Sequence, residues 1–171
     1  MNADQAKFLA EHYANLFENE MSTTASVIAA VNEGDRDYKP DGKSRSAWDI
    51  AVHIAQADNW LIQSALAGKF EFNSEAAKKQ AADFKDAEQV AAFYRKAMPE
   101  TLKQLRSAPP DALTREVDFF GVIRGPALNM VVFAHDHSLH HRGQLAAYLR
   151  PMGSKVPNIY GPSADARPAH A

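Results

Sequence analysis

The chain has no cysteine among its 171 residues. That excludes disulfides, thiolate metal ligands and a cysteine nucleophile, and leaves imidazole and oxygen as the donors for any metal site. It also lacks a dominant charge sign, since 19 Lys and Arg stand against 21 Asp and Glu for a net −2. The basic residues are scattered singly, which gives no patch for nucleic acid and no acidic tail. No apolar run approaches the ~20 residues of a membrane span. Met1 to Lys7 is polar where a signal peptide would be apolar. These absences predict no nucleic-acid partner, no membrane and a cytoplasmic location. Repeats, low-complexity tracts and linkers are missing too, so a single domain is expected over 1–162, with a flexible tail over 163–171.

What is present is a globular composition, 46% apolar and 23% charged, long enough to bury a core without staples. Apolar positions recur in threes and fours from about Gln5 to Asn32, the pattern of an amphipathic helix. Its polar middle, Glu20 to Thr24, allows an irregular turn. Ser46-Ala47-Trp48-Asp49 reads as a capping box opening a second helix that ends at Gly68. Lys69 to Asp86 reads as a surface loop carrying one short helical turn over 75–82. A third helix runs from Ala87 to Ser107, with a kink expected at Pro99 and a stop at Pro109-Pro110. Leu113 to Ile123 reads as an extended crossing segment. Gly125-Pro126 opens the last helix, with proline at its first position, and Pro151-Met152-Gly153 closes it. Lys155 to Tyr160 is expected to pack back on the domain. Four long amphipathic helices with polar connectors predict an all-α, four-helix bundle with a short extended segment before the last helix.

Four of the seven histidines fall between Ala134 and Leu145. At about 100° per residue, His137 and His141 lie on one helical face, one turn apart, together with Met130, Phe133, Gln144, Leu145 and Tyr148. His140 is displaced from them and His135 points away. On the second helix, His53 lies on the apolar stripe. If those two helices are neighbours, three inward imidazoles meet and leave one or more positions open on a divalent metal, as in a catalytic site. Asp49 and Gln56 flank His53 and are candidates to orient its second nitrogen, as Gln144 is for His141. For Asp49 the helix cap is the competing role. His140 reads as a pocket or substrate-facing residue, and Tyr94, Tyr148 and Tyr160 as candidate cleft-lining groups. Arg142 points away from the ligand face and reads as a structural ion-pair partner. His12 and His170 carry no supporting context.

Ser44-Arg45-Ser46-Ala47-Trp48-Asp49 leading to Val52-His53-Ile54, with His137-x-x-His140-His141-Arg142-Gly143-Gln144-Leu145 and Tyr148-Leu149-Arg150-Pro151-Met152-Gly153, resembles the DinB family of YfiT-like, metal-binding four-helix bundles. The resemblance extends from the first helix to about Gly161 and implies His53, His137 and His141 as ligands of one divalent transition metal, zinc or nickel. It further implies a metal-dependent hydrolase, or a thiol S-transferase joining a low-molecular-weight thiol to an electrophilic small molecule. Frequent homodimers are a family trait, and Val132, Leu139 and Gly143 form a second narrow strip that a partner subunit would cover. Two other readings stand beside the enzyme. One is a non-catalytic metal- or ligand-binding stress-response protein, whose site is closed by Asp49, His140 or Glu20. The other has no metal, the histidines being hydrogen-bonded core residues.

Overall fold

The structure is a computed structural model that describes residues 1–166. Its long helices are α1 (Ala3–Ala29), α2 (Ala47–Ala67), α4 (Ala87–Ser107) and α6 (Ala127–Leu149). Two short helices, α3 (Ser74–Asp83) and α5 (Pro110–Thr114), and an antiparallel hairpin of β1 (Glu116–Phe119) and β2 (Ile123–Pro126) lie in the connections. Each of α1 and α2 packs against both α4 and α6, so around the bundle the order is α1, α4, α2, α6. The α1–α2 and α4–α6 connections therefore cross the bundle diagonally. Both are long for that reason. Among the described residues, no helix is long and apolar enough to cross a membrane.

α1 begins at a capping box: Gln5 N–H donates to Asn2 Oδ1 (2.9 Å) and Asn2 N–H to Gln5 Oε1 (3.0 Å). It runs unbroken through Glu20–Thr24, contrary to the irregular turn expected there. Thr24 is fully buried and Glu20 half-buried, and both receive the Arg142 guanidinium from α6. The polar patch is thus the acceptor side of a buried cation and not a break in the helix. Arg142 is 2% exposed and also donates to Tyr160 Oη (2.7 Å), which ties down the segment after α6.

α2 starts where its sequence says it should. Asp49 N–H donates to Ser46 Oγ (3.0 Å), while Ala47 and Trp48 N–H donate to the carbonyls of Tyr38 (3.0 Å) and Arg36 (2.9 Å) in the diagonal crossover. Three of the orphan donors of this helix end are satisfied, and the register that carries His53 is set. At the other end Gly68 takes φ 80°, the left-handed cap that favours glycine.

α4 continues through Pro99, which lies on its exposed side. Pro109-Pro110 both stops α4 and starts α5, the second proline occupying the first helical turn. The single extended segment expected over 113–123 is instead a hairpin, with Leu113 buried in α5. The chain reverses at Phe120 (φ 51°) and Gly121 (φ 75°), and Asp118 Oδ1 accepts from Gly121 N–H (2.6 Å). Pro126 is the last residue of β2 and caps α6 from outside, one position earlier than its expected place in the first turn. In place of a capping side chain, Ala127 N–H donates to the Arg115 carbonyl (2.8 Å).

Val156 and Ile159 pack on the core, and Asp165 accepts from Val156 N–H (2.9 Å) and Arg150 Nε (3.0 Å) within a short 3-10 turn, Ala164–Ala166. The rest of the expected tail, including His170, lies outside the described residues. On α6, Val132 and Leu139 are half-buried and Gly143 is exposed.

Candidate metal centre

Because α2 and α6 are neighbours, their inward faces bring His53, His137 and His141 together. One donor nitrogen of each lies within 4.8 Å of the others. His53 Nε2 and His137 Nε2 are 2.9 Å apart, and the His53 and His141 rings meet edge to face at 4.7 Å between centroids. Burial is the main cause that pushes His53 down to about 3, with the Arg45 charge and the neighbouring histidines acting in the same direction. His141 is lowered as well, again chiefly by burial, against the raising effect of its bond to Gln144. Both rings are therefore neutral at physiological pH. A neutral imidazole keeps one nitrogen lone pair, the form that ligates a metal.

On α6, the second ring nitrogens of His141 and His137 face groups of the kind that orient metal ligands. His141 Nδ1 lies 3.0 Å from Gln144 Oε1, and Gln144 Nε2 donates to Tyr148 Oη (3.2 Å), a chain that leaves His141 Nε2 facing the cluster. Behind His137 stands Asp58, fully buried on α2. Asp58 Oδ2 accepts from Ser138 Oγ (2.6 Å) and from the buried Tyr94 hydroxyl (3.0 Å). Burial, and then the Asp58 charge, hold the Tyr94 phenol protonated as a donor by raising its pKa. Asp58 Oδ1 and His137 Nδ1 face each other at 3.9 Å, both buried and neither hydrogen-bonded. A proton on Nδ1, aimed at the carboxylate, leaves Nε2 of His137 as the ligating atom. The three residues fit a divalent ion held by imidazole nitrogens.

Asp58 is absent from the sequence-derived site. Its signal was available: a lone carboxylate on the apolar stripe Ile54, Asp58, Leu61, Ala65, where a buried charge requires partners. Other expectations shift. Asp49 is exposed and makes the reciprocal cap bond to Ser46 N–H (3.4 Å). Gln56 donates to the Ala77 carbonyl (3.0 Å) and Gln80 Oε1 (2.9 Å) of α3, and not to His53. His140 is exposed, with its ring against His141 at 4.9 Å, and stands outside the three-histidine cluster. Glu20 is taken by Arg142. Tyr94 and Tyr160 serve Asp58 and Arg142 and do not line the cleft. His135 packs edge-on between Tyr13 and Phe17.

A cavity of about 690 Å³ opens beside the cluster, with His53 and His137 in its lining and α3 forming part of its wall. A smaller recess of about 340 Å³ reaches His53 from the other side of α3 and is lined by Asp49, Trp48 and Lys78.

A histidine-lined helical bundle with an accessible side cavity is the class that the fold and site define. The sequence profile of the DinB family matches residues 1–168, and the chain belongs to that family. Relatives include two uncharacterized Bacillus subtilis proteins. YrdA is 22% identical over 154 residues, spanning 90% of this chain and 89% of that protein. YjoA is 28% identical over 144 residues, spanning 80% and 86%. The crystal structure of the DinB-like protein YjoA superposes with a TM-score of 0.67 at 22% identity, covering 88% of this chain and 98% of that one. A DinB-like protein from Bacillus cereus gives 0.66 at 24% identity, covering 86% and 95%. These likenesses agree with a helical bundle.

Proposed function

We propose that this protein is a metal-dependent enzyme, of hydrolase or thiol S-transferase type, acting on a small molecule. The observation that carries the reading is the convergence of His53, His137 and His141, with donor atoms within 4.8 Å, beside a cavity of about 690 Å³ that His53 and His137 line. Imidazole donors suit zinc, nickel, copper or iron, of which the family resemblance favours zinc or nickel, and a divalent ion held there would supply a Lewis acid to activate water or hold a thiolate. The chain's own residues do the rest. His53 and His141 stay neutral through burial, Asp58 and Gln144 orient the two α6 imidazoles, and the cavity admits the substrate beside them. Asp49, His140 and Glu20 are each exposed or engaged elsewhere, so none supports a site closed by a fourth protein donor.

The test is metal content by plasma mass spectrometry on untagged protein, wild type beside His53→Ala and His141→Ala. Near-stoichiometric metal in the wild type, lost in both variants, is expected. Metal retained by both variants would overturn the ligand set. With the ion known, turnover of an electrophile with and without added thiol separates S-transfer from hydrolysis, and no turnover under either condition would favour a binding protein.

A further inference from the structure

The cavity beside the histidines has two chemically different parts to its lining. One is a wall of rings. Trp60 meets Phe72 at 5.4 Å between centroids, Phe119 meets Phe133 at 5.7 Å, and Phe133 meets His137 at 5.8 Å. Trp60 also contacts Phe119 at 6.2 Å, so an aromatic surface runs continuously from the cavity's outer part to the ligand ring. Phe72, at this surface, is 57% exposed.

The other is Arg45, which lines both the main cavity and the smaller recess and shares each with His53. Among the described residues, Arg45 makes no ion pair and no side-chain hydrogen bond. Glu71 also lines the main cavity, but it is paired with Lys69 at 3.1 Å. A cation without a protein counter-charge, in a cavity lined by histidines and aromatic rings, is complementary to an anion with a flat apolar body.

We propose that the cavity selects small aromatic or similarly planar organic acids, the anionic head at Arg45 beside the imidazoles and the body against Trp60, Phe119 and Phe133. This deepens the proposed function and rests on its placing the substrate in this cavity. Guanidinium geometry suits a carboxylate, and stacking on ring faces tolerates many ring systems, so the class is defined by head and shape.

Isothermal titration of the metal-loaded protein with 2-naphthoate and the neutral 2-naphthamide tests it. Naphthoate is expected to bind roughly tenfold more tightly than the amide, the worth of one charge-assisted contact at an exposed arginine. Arg45→Gln should equalise the two ligands, and Phe72→Ala should weaken both together. Three results would overturn the proposal: equal binding of acid and amide, discrimination that survives in Arg45→Gln, or no binding of either. The second would mean that the ion itself selects the head group. Metal content of the same samples separates the two readings. Full metal with no acid preference removes only the ligand class, whereas acid binding to protein that never loads metal removes the metalloenzyme and keeps the slot.

Discussion

At the residue scale, Asp58 is the buried charge that stands behind the candidate centre. Its carboxylate is fully buried, and Ser138 and Tyr94 satisfy one oxygen while the other faces His137 Nδ1. Such partners behind a metal-ligating imidazole typically contribute about 10–100-fold to metal affinity. Asp58→Asn keeps the shape and removes the charge, and is expected to weaken metal binding by that order while His53 and His141 remain in place. Competition with a chromophoric chelator measures it, and an unchanged affinity would reduce Asp58 to a packing group. Arg142 illustrates the opposite case. It belongs to the same sequence motif as the histidines but turns to the other side of α6, where Glu20, Thr24 and Tyr160 hold it.

At the scale of elements, the position of His53 depends on how α2 begins. Ser46 is 3% exposed, and its hydroxyl caps Asp49 N–H while the crossover carbonyls take the two donors before it. Ser46→Ala is expected to cost about 1 kcal/mol of stability. Urea unfolding would show it as a lower midpoint at an unchanged slope, and a midpoint equal to wild type would mean that the crossover bonds suffice. α3 is held differently. It has no fully buried residue, and Gln56 reaches it through two hydrogen bonds from beside His53. A residue that looked like an orienting group for the metal ligand is thus an anchor for the cavity wall. The hairpin β1–β2 fills the second diagonal crossover and supplies Phe119 to the aromatic wall.

For the whole molecule, burying neutral imidazoles between α2 and α6 has a thermodynamic consequence. His53 titrates near 3 in the folded protein against about 6.5 when unfolded. Between those values the unfolded chain binds the extra proton, so stability rises with pH. The contribution is fully present above about pH 6.5 and is lost as pH falls toward 3, at no more than ~1.4 kcal/mol per pH unit. In metal-free protein, chemical unfolding between pH 4 and 6.5 should therefore be steeper in pH for wild type than for His53→Ala. Parallel profiles would show that His53 is not desolvated. The same competition predicts that acid releases the metal through this window.

Much of this molecule was legible in the chain itself. Periodicity of three and four, a capping box at Ser46 and Asp49, and the prolines and glycines at helix ends determined a four-helix bundle with nearly correct boundaries, because these are local effects of backbone and side chain. The pairing of His137 with His141 was equally local, since a helix places residues four apart on one face. Three-dimensional packing decided the rest. Helix order around the bundle made α2 and α6 neighbours and brought His53 to the pair, a choice that the long connections left open. Packing also turned the polar middle of α1 into the seat of Arg142, folded 110–126 into a short helix and a hairpin, and set Asp58 behind His137. Each of these depends on which distant surface covers a given side chain, and the cost of burying a charge or an unpaired donor is settled only when that surface arrives.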